Sequence, residues 1–215
     1  MTPVRTAPRT ALVLAAALTC ALPATSVAAV PPPASASAVE APRASASTTE
    51  PVSVGTLDVR RYLGHWFQFA AVPRPFEAKC AKNVHGTYGL TPSGSLSVRN
   101  GCTTWEGRAS SIRGQAKPLD ATGSRLNVSF VPADGGGYVH GENANYIVVG
   151  LSADYRWAVI TDSARRSGFV LSRTPYLTPR RQHAARQAIR AAGLDPCTFL
   201  TTRQDAGSRT VTPFC

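Results

Sequence analysis

"YLGHWFQFAAVPRPFE", Tyr62 to Glu77, reads as one strand that is apolar on both faces. Trp66, Phe67, Phe69, Ala70, Ala71 and Val72 are interrupted only by Gln68, and Pro73 and Pro75 then end any pairing. A strand at a sheet surface shows one wet face. This one needs cover on both sides, and it opens with Gly64 two residues before a large indole, Trp66.

Downstream, turn signals arrive at short, even intervals. Strand-like runs at 83–90, 95–102, 105–117, 124–132, 145–151, 156–161 and 168–173 are separated by "TPSG", "SADY", "DSARRS" and a glycine-rich loop that includes 135–137. Eight short strands joined by hairpin-length links describe an up-and-down meander. One helix follows. Thr178 is placed as its N-cap, Pro179 at its first position and Gly193 at its end. Ala184, Ala185, Ala188, Ile189 and Ala192 share a stripe opposite Arg186 and Arg190. A last short strand is expected at 197–202, beside the first.

The fold expected is therefore all-β: an eight-stranded antiparallel up-and-down barrel with one external C-terminal α-helix and a short ninth strand. Eight strands enclose a space wide enough for one small ligand. Alternation places Trp66, Gln68 and Ala70 inside on the first strand, with Phe67 and Phe69 outside beneath Ala185, Ala188 and Ile189. The same count puts Val84, Gly86, Tyr88 and Leu90 inside on the second strand and Val98 on the third. Leu126, Val128 and Phe130 follow on the fifth, Tyr146 and Val148 on the sixth, Tyr155, Trp157 and Val159 on the seventh, and Phe169 and Leu171 on the eighth.

The chain around this domain reads differently. Residues 1–30 carry Arg5 and Arg9, an apolar run from Ala11 to Ala21, and small residues at Ser26, Ala28 and Ala29, the pattern of a secretory signal peptide. The run is too short to span a bilayer. Cys20 follows Thr19 rather than a small residue, which argues against a lipid anchor there. Residues 31–54 are rich in Pro, Ala, Ser and Thr and form a linker with little to bury; the domain proper is expected at 55–215.

Removing Arg5 and Arg9 from the 23 basic residues leaves 21 against 12 acidic ones. The cations are scattered and not interleaved with aromatics, so no nucleic-acid groove is expected. A solvated basic surface is the plain reading, and weak attraction to an anionic membrane or cell wall the sharper one. The cysteines beyond the leader are Cys80, Cys102, Cys197 and Cys215. An even set in an exported chain implies two disulfides. Local closure, entropically easier, favours Cys80–Cys102 and Cys197–Cys215.

Three blocks in order resemble the lipocalin family, and within it the branch of bacterial lipocalins and apolipoprotein D. They are the opening "YLGHWFQFAAVPRPFEAKCAKNVHGTYGL", then "SADYRWAVI", then "GFVLSRTP". Together with the helix they cover essentially the whole domain. The resemblance implies that Gly64 lets the chain turn into the first strand, that Trp66 plugs the closed base, and that Arg173 lies across its indole as a cation–π partner. It also implies a rival cysteine pairing, Cys80–Cys215 with Cys102–Cys197, which leaves the connectivity open. The chain departs from the branch at Gln68, where many members carry an acid, and in having no lipobox.

No catalytic constellation is visible. There is no G-x-S-x-G elbow and no H-E-x-x-H, and the glycines at 135–137 precede no helix. His65, His85, His140 and His183 lack ligand spacing, so no metal and no cofactor are expected. The expectation is a secreted or cell-envelope protein that binds a small hydrophobic ligand, a fatty acid, lysophospholipid or similar lipid, for transport, storage or sequestration. Its ligand site would be the barrel lining of Ala70, Tyr88, Val98, Val128, Phe130, Tyr146, Val148, Trp157 and Phe169, with Arg74 or Arg108 near the rim for a carboxylate or phosphate. The alternative is a filled barrel whose loops bind a protein or envelope polymer. A monomer is the expected state.

Overall fold

The computed structural model describes residues 49–215; the leader at 1–30 and the linker as far as 48 lie outside the described residues. Eight antiparallel strands follow one another in space as they do in sequence. They are β1 (Gly64–Ala71), β2 (Cys80–Leu90), β3 (Leu96–Thr104), β4 (Ala109–Pro118), β5 (Arg125–Ser129), β6 (Tyr146–Leu151), β7 (Trp157–Thr161) and β8 (Gly168–Ser172). β1 pairs with β2 on one side and β8 on the other, so the sheet closes into a barrel. A short strand, β9 (Leu200–Thr201), adds to β1 through Ala70 and Ala71. One end is ringed by the loops at 72–79, 105–108, 130–145 and 162–167, the other by the turns at 91–95, 119–124 and 152–156.

The second end is closed by a segment that the sequence pattern assigned to the linker. Val54 N–H donates to the Val148 carbonyl at 2.9 Å and Leu57 N–H to that of Thr122 at 2.8 Å. Pro51 is fully buried, and Glu50 pairs with Arg125. Packing therefore begins before residue 55. A single helical turn, α1 (Val59–Tyr62), then delivers Tyr62 into the core, its N-cap Asp58 accepting from Arg61 N–H at 3.2 Å. Low apolar content hid this segment, because its anchoring is largely backbone hydrogen bonding.

The double cover of β1 comes from a bulge. Its register shifts between Gln68 and Ala70. Gln68 lies opposite Leu171 and Ala71 opposite Phe169, two residues of the interior, while Ala70 lies opposite Val170. Phe69 and Ala70 both belong to the cluster outside the barrel. The expected alternation fails here, and Ala70 faces out while Ala71 faces in.

That outer cluster also corrects the position of the helix. α2 (Pro179–Ala191) is capped by Thr178, which accepts from Arg181 N–H, and it buries Ala185 and Ile189. It lies chiefly on β6 and β7, not over Phe67 and Phe69. A Cβ at Gly150 of β6 would come within 2.5 Å of the Ala188 Cβ, so only glycine allows this approach. What covers Phe69 is the C-terminal segment. Phe214 meets it edge-on at 5.4 Å between ring centroids, and Phe199 is fully buried beside them.

β7 is inverted relative to its expected parity. Tyr155 sits in the β6–β7 turn with φ +56°. From there Trp157 and Val159 face outward under α2, and Ala158 and Ile160 fill the interior. All five residues of the strand are buried, so its sequence carried no contrast from which to read the parity.

Two disulfides close short loops, one between β2 and β3 and one in the C-terminal segment. Cys80 joins Cys102 with the Cα atoms 5.7 Å apart, and Cys197 joins Cys215 at 4.8 Å. Register shifts on either side of Lys82, with Asn83 at φ +58°, bend β2 so that Cys80 can reach β3.

Candidate functional site

A cavity of about 670 Å³ occupies the barrel and opens at the end ringed by the 72–79 loop. This lies inside the ~300–1,000 Å³ range of small-molecule sites. Tyr88, Val98, Val128, Phe130, Tyr146 and Phe169 line it, joined by Val84 and Leu171. Val148 is interior but fully packed below the cavity. Ala70 and Trp157 lie outside the barrel, for the reasons given above, and are not lining residues.

The floor is aromatic and polar at once. Trp66 is fully buried at the base, and its Nε1–H donates to the Tyr62 carbonyl at 2.8 Å. Arg173 lies 3.8 Å over the indole while its guanidinium donates to the carbonyls of Arg61 (2.8 Å), Tyr62 (3.1 Å) and His65 (2.9 Å). Gly64 stands at φ +93° beside it, 3.4 Å from the Arg173 Nη1 if a Cβ were added. The arginine thus ties α1 to β1 across the plug.

Above the plug three phenols form a chain. Tyr62 and Tyr146 hydroxyls lie 2.8 Å apart, and Tyr146 donates to Tyr88 at 3.1 Å. Burial holds all three hydroxyls protonated, pushing that of Tyr88 up to about 12.

The mouth is charged. Arg74, Lys79 and Arg166 line it, together with Glu77 and Asp162. Arg108 is exposed on the β3–β4 turn and does not line the cavity. Arg74 donates to the Arg166 carbonyl at 3.4 Å, and its Nε is buried with no partner among the described residues. Burial raises the Glu77 carboxyl above its ordinary range, partly opposed by the Gln68 amide that donates to it at 3.1 Å. Burial alone would raise Asp162, but the Ser167 hydroxyl and the backbone N–H groups of Arg166, Ala164 and Ser167 outweigh it and hold the carboxylate ionised. Glu77, Lys79, Arg166 and Asn100 escaped the sequence reading. The first three are polar residues in or beside loops and Asn100 lies mid-strand on β3, and only the closed barrel shows that they line one cavity.

His140 bonds Asn127 and Gln115, and the helix holds His183 beside Gln187. His65 and His85 are brought to 5.0 Å between ring centroids on neighbouring strands. The spacing of the four in sequence did not foreshadow that pair.

The family model of the lipocalin-like domain matches residues 57–204. The outer membrane lipoprotein Blc of Escherichia coli K12 is 31% identical over 153 residues, covering 70% of this chain and 81% of its own. Apolipoprotein D of Mus musculus is 26% identical over 152 residues, covering 68% and 77%. Temperature-induced lipocalin-1 of Arabidopsis thaliana is 31% identical over 129 residues, which is 55% of this chain and 63% of the relative's length. Among solved structures, insecticyanin of the tobacco hornworm Manduca sexta superposes with a TM-score of 0.55 at 13% identity, covering 77% of this chain and 93% of that one. A plugged eight-stranded barrel open at one end, a helix on its outer wall and a family match across the whole barrel agree: the chain belongs to the lipocalin family, in the branch of bacterial lipocalins and apolipoprotein D.

Proposed function

We propose that the domain holds one elongated anionic amphiphile, a fatty acid or lysophospholipid, with its chain in the barrel and its head at the mouth, for transport, storage or sequestration. The fold and the relatives support binding of a small hydrophobic ligand in general, and lipocalins are in general binding proteins rather than enzymes. The observation that carries the finer reading is the unsatisfied Arg74 Nε beside Lys79 and Arg166 at the opening of a cavity walled by Val84, Val98, Val128 and Phe169. A buried donor without a partner is costly, and a carboxylate or phosphate oxygen would supply one. Phe76 and Trp105 stand exposed on the loops around this opening. Aromatic and cationic lips of this kind suit brief contact with an anionic lipid surface during loading. The leader pattern and the two disulfides support an exported protein acting in the envelope or beyond it.

A displacement titration tests this. A polyene fatty-acid probe should be taken up by the purified domain and released by oleate. Arg74→Ala should weaken oleate binding by about tenfold or more, as expected for a lost charge-assisted hydrogen bond. Failure of the wild-type domain to take up any lipophilic probe would overturn the reading and leave the rim loops as the working surface of a filled barrel.

A further inference from the structure

The outer wall of the barrel carries two cations that face each other with no acid between them. Strand register aligns His65 of β1, Thr87 of β2, Arg99 of β3 and Arg113 of β4 in one row across the sheet. Tyr88 and Val98, the next residues on β2 and β3, pack in the barrel core, so this row points outward. Arg99 and Arg113 are both exposed, and neither side chain has a hydrogen bond or ion pair among the described residues. Like charges directly opposite each other on neighbouring strands, with Cβ atoms about 5 Å apart, destabilise the pairing.

The surroundings do nothing to relieve that repulsion. Strands β1 to β4 contain no Asp or Glu, and Glu77 and Glu106 lie in loops beyond the strand ends. Asp205 reaches β2 from the C-terminal segment, but Lys82 and Asn83 take up its carboxylate. Along their own strands the two arginines are flanked by small or uncharged residues, Ser97 and Gly101 on β3, Ser111 and Gln115 on β4. Both guanidinium groups can therefore turn together onto one phosphate, or take successive phosphates of a chain, as the planar arginine fork favours. Thr87, whose Oγ1 lies 3.3 Å from His65 Nδ1, continues the row with a hydroxyl and an imidazole.

A bilayer would need apolar side chains on this face as well. The exposed large hydrophobics of β2 to β4 are Leu90 and Ile112. Ile112 belongs to the cavity lining, and Leu90 is the last residue of β2 at the base. The flat cationic wall thus suits a hydrated polyanion rather than a membrane.

We infer that Arg99 and Arg113, with Thr87 and His65 beside them, form a second binding site, on the outer wall, for a linear phosphate-bearing polymer lying across β1 to β4. The site is independent of any ligand in the barrel. It holds the protein beside an anionic matrix while the mouth stays open.

The test titrates the purified protein with long-chain inorganic polyphosphate at low salt. Wild type should bind, and binding should weaken as salt rises, because the charges are exposed. Arg99→Gln and Arg113→Gln should each weaken it about fivefold, and the double variant should bind more weakly than either. Polyphosphate should raise the thermal midpoint of wild type and leave that of the double variant unchanged. A control removes the same charge elsewhere: Arg180→Gln with Arg190→Gln, on the exposed face of α2, should bind like wild type. No binding by wild type, or an equal loss in the α2 control, would overturn the site, the latter by showing that net charge alone attracts the polymer. Phosphatidylglycerol vesicles bound as tightly, through the same two arginines, would overturn the choice of a polymer over a membrane. Uptake of the fatty-acid probe should be the same in the double variant as in wild type, and its loss would contradict the independence of the two sites.

Discussion

Glu77 carries a burial penalty that makes stability depend on pH. Its carboxyl keeps its proton in the folded domain at a pH where the unfolded chain has already lost it, because burial disfavours the charge. The folded state then binds more protons than the unfolded one across that window, so stability falls as pH rises from the usual carboxylate value through the folded one, and levels off above it. Glu77→Gln keeps an acceptor for the Gln68 amide and removes the charge. Its thermal midpoint should exceed wild type at pH 7, and the two should converge below pH 4. An unchanged difference across that range would show that Glu77 is not the group responsible. The base plug is the other residue to test. Trp66→Ala should cost about 3–5 kcal/mol in urea unfolding. Arg173→Lys keeps the charge but cannot stack on the indole and reach three carbonyls together, and should cost about 1–3 kcal/mol. A Trp66→Ala midpoint equal to wild type would refute the plug.

At the scale of elements, the C-terminal segment behaves as a strap. Phe199, Phe214 and the Cys197–Cys215 link form a hydrophobic cover over β1 that the helix does not supply. Cys215→Ser should therefore destabilise the domain by about 3 kcal/mol, the loop-closure value for a loop of this size, and should speed hydrogen exchange at Thr201 and Thr202, which bond Thr212 and Phe69. Protection there equal to wild type would mean that the strap holds without its link. Legibility differed among the elements for physical reasons. Strand number, order and the helix caps could be read because turn residues and Thr178-Pro179 act locally. The faces of β1 and β7 could not. A bulge shifts one after Gln68, and the other is buried on both sides, so alternation had nothing polar to mark the exterior. The base segment at 50–54, assigned to the linker, escaped for a related reason, since the backbone bond from Val54 to Val148 leaves no pattern in side-chain type.

For the whole molecule, the barrel turns a scattered basic sequence into an oriented site. The hydrophobic lining was largely legible, because Tyr88, Val98, Val128 and Phe169 sit on strands of clear period. The polar chemistry of the mouth and of the cavity wall was not, because Arg74, Glu77, Lys79, Asn100 and Arg166 come together only when the sheet closes. The central claim is that a lipid enters this interior head outermost. Paramagnetic broadening of backbone amide signals by doxyl-labelled stearates measures that directly. With the label at carbon 5, near the carboxylate, signals from Arg74 to Lys79 and Arg166 should disappear. With the label at carbon 16 the loss should move to Gly86, Tyr88 and Val98. The same residues broadened by both labels, or broadening confined to the outer face around Ala185 and Trp157, would contradict an oriented ligand inside the barrel.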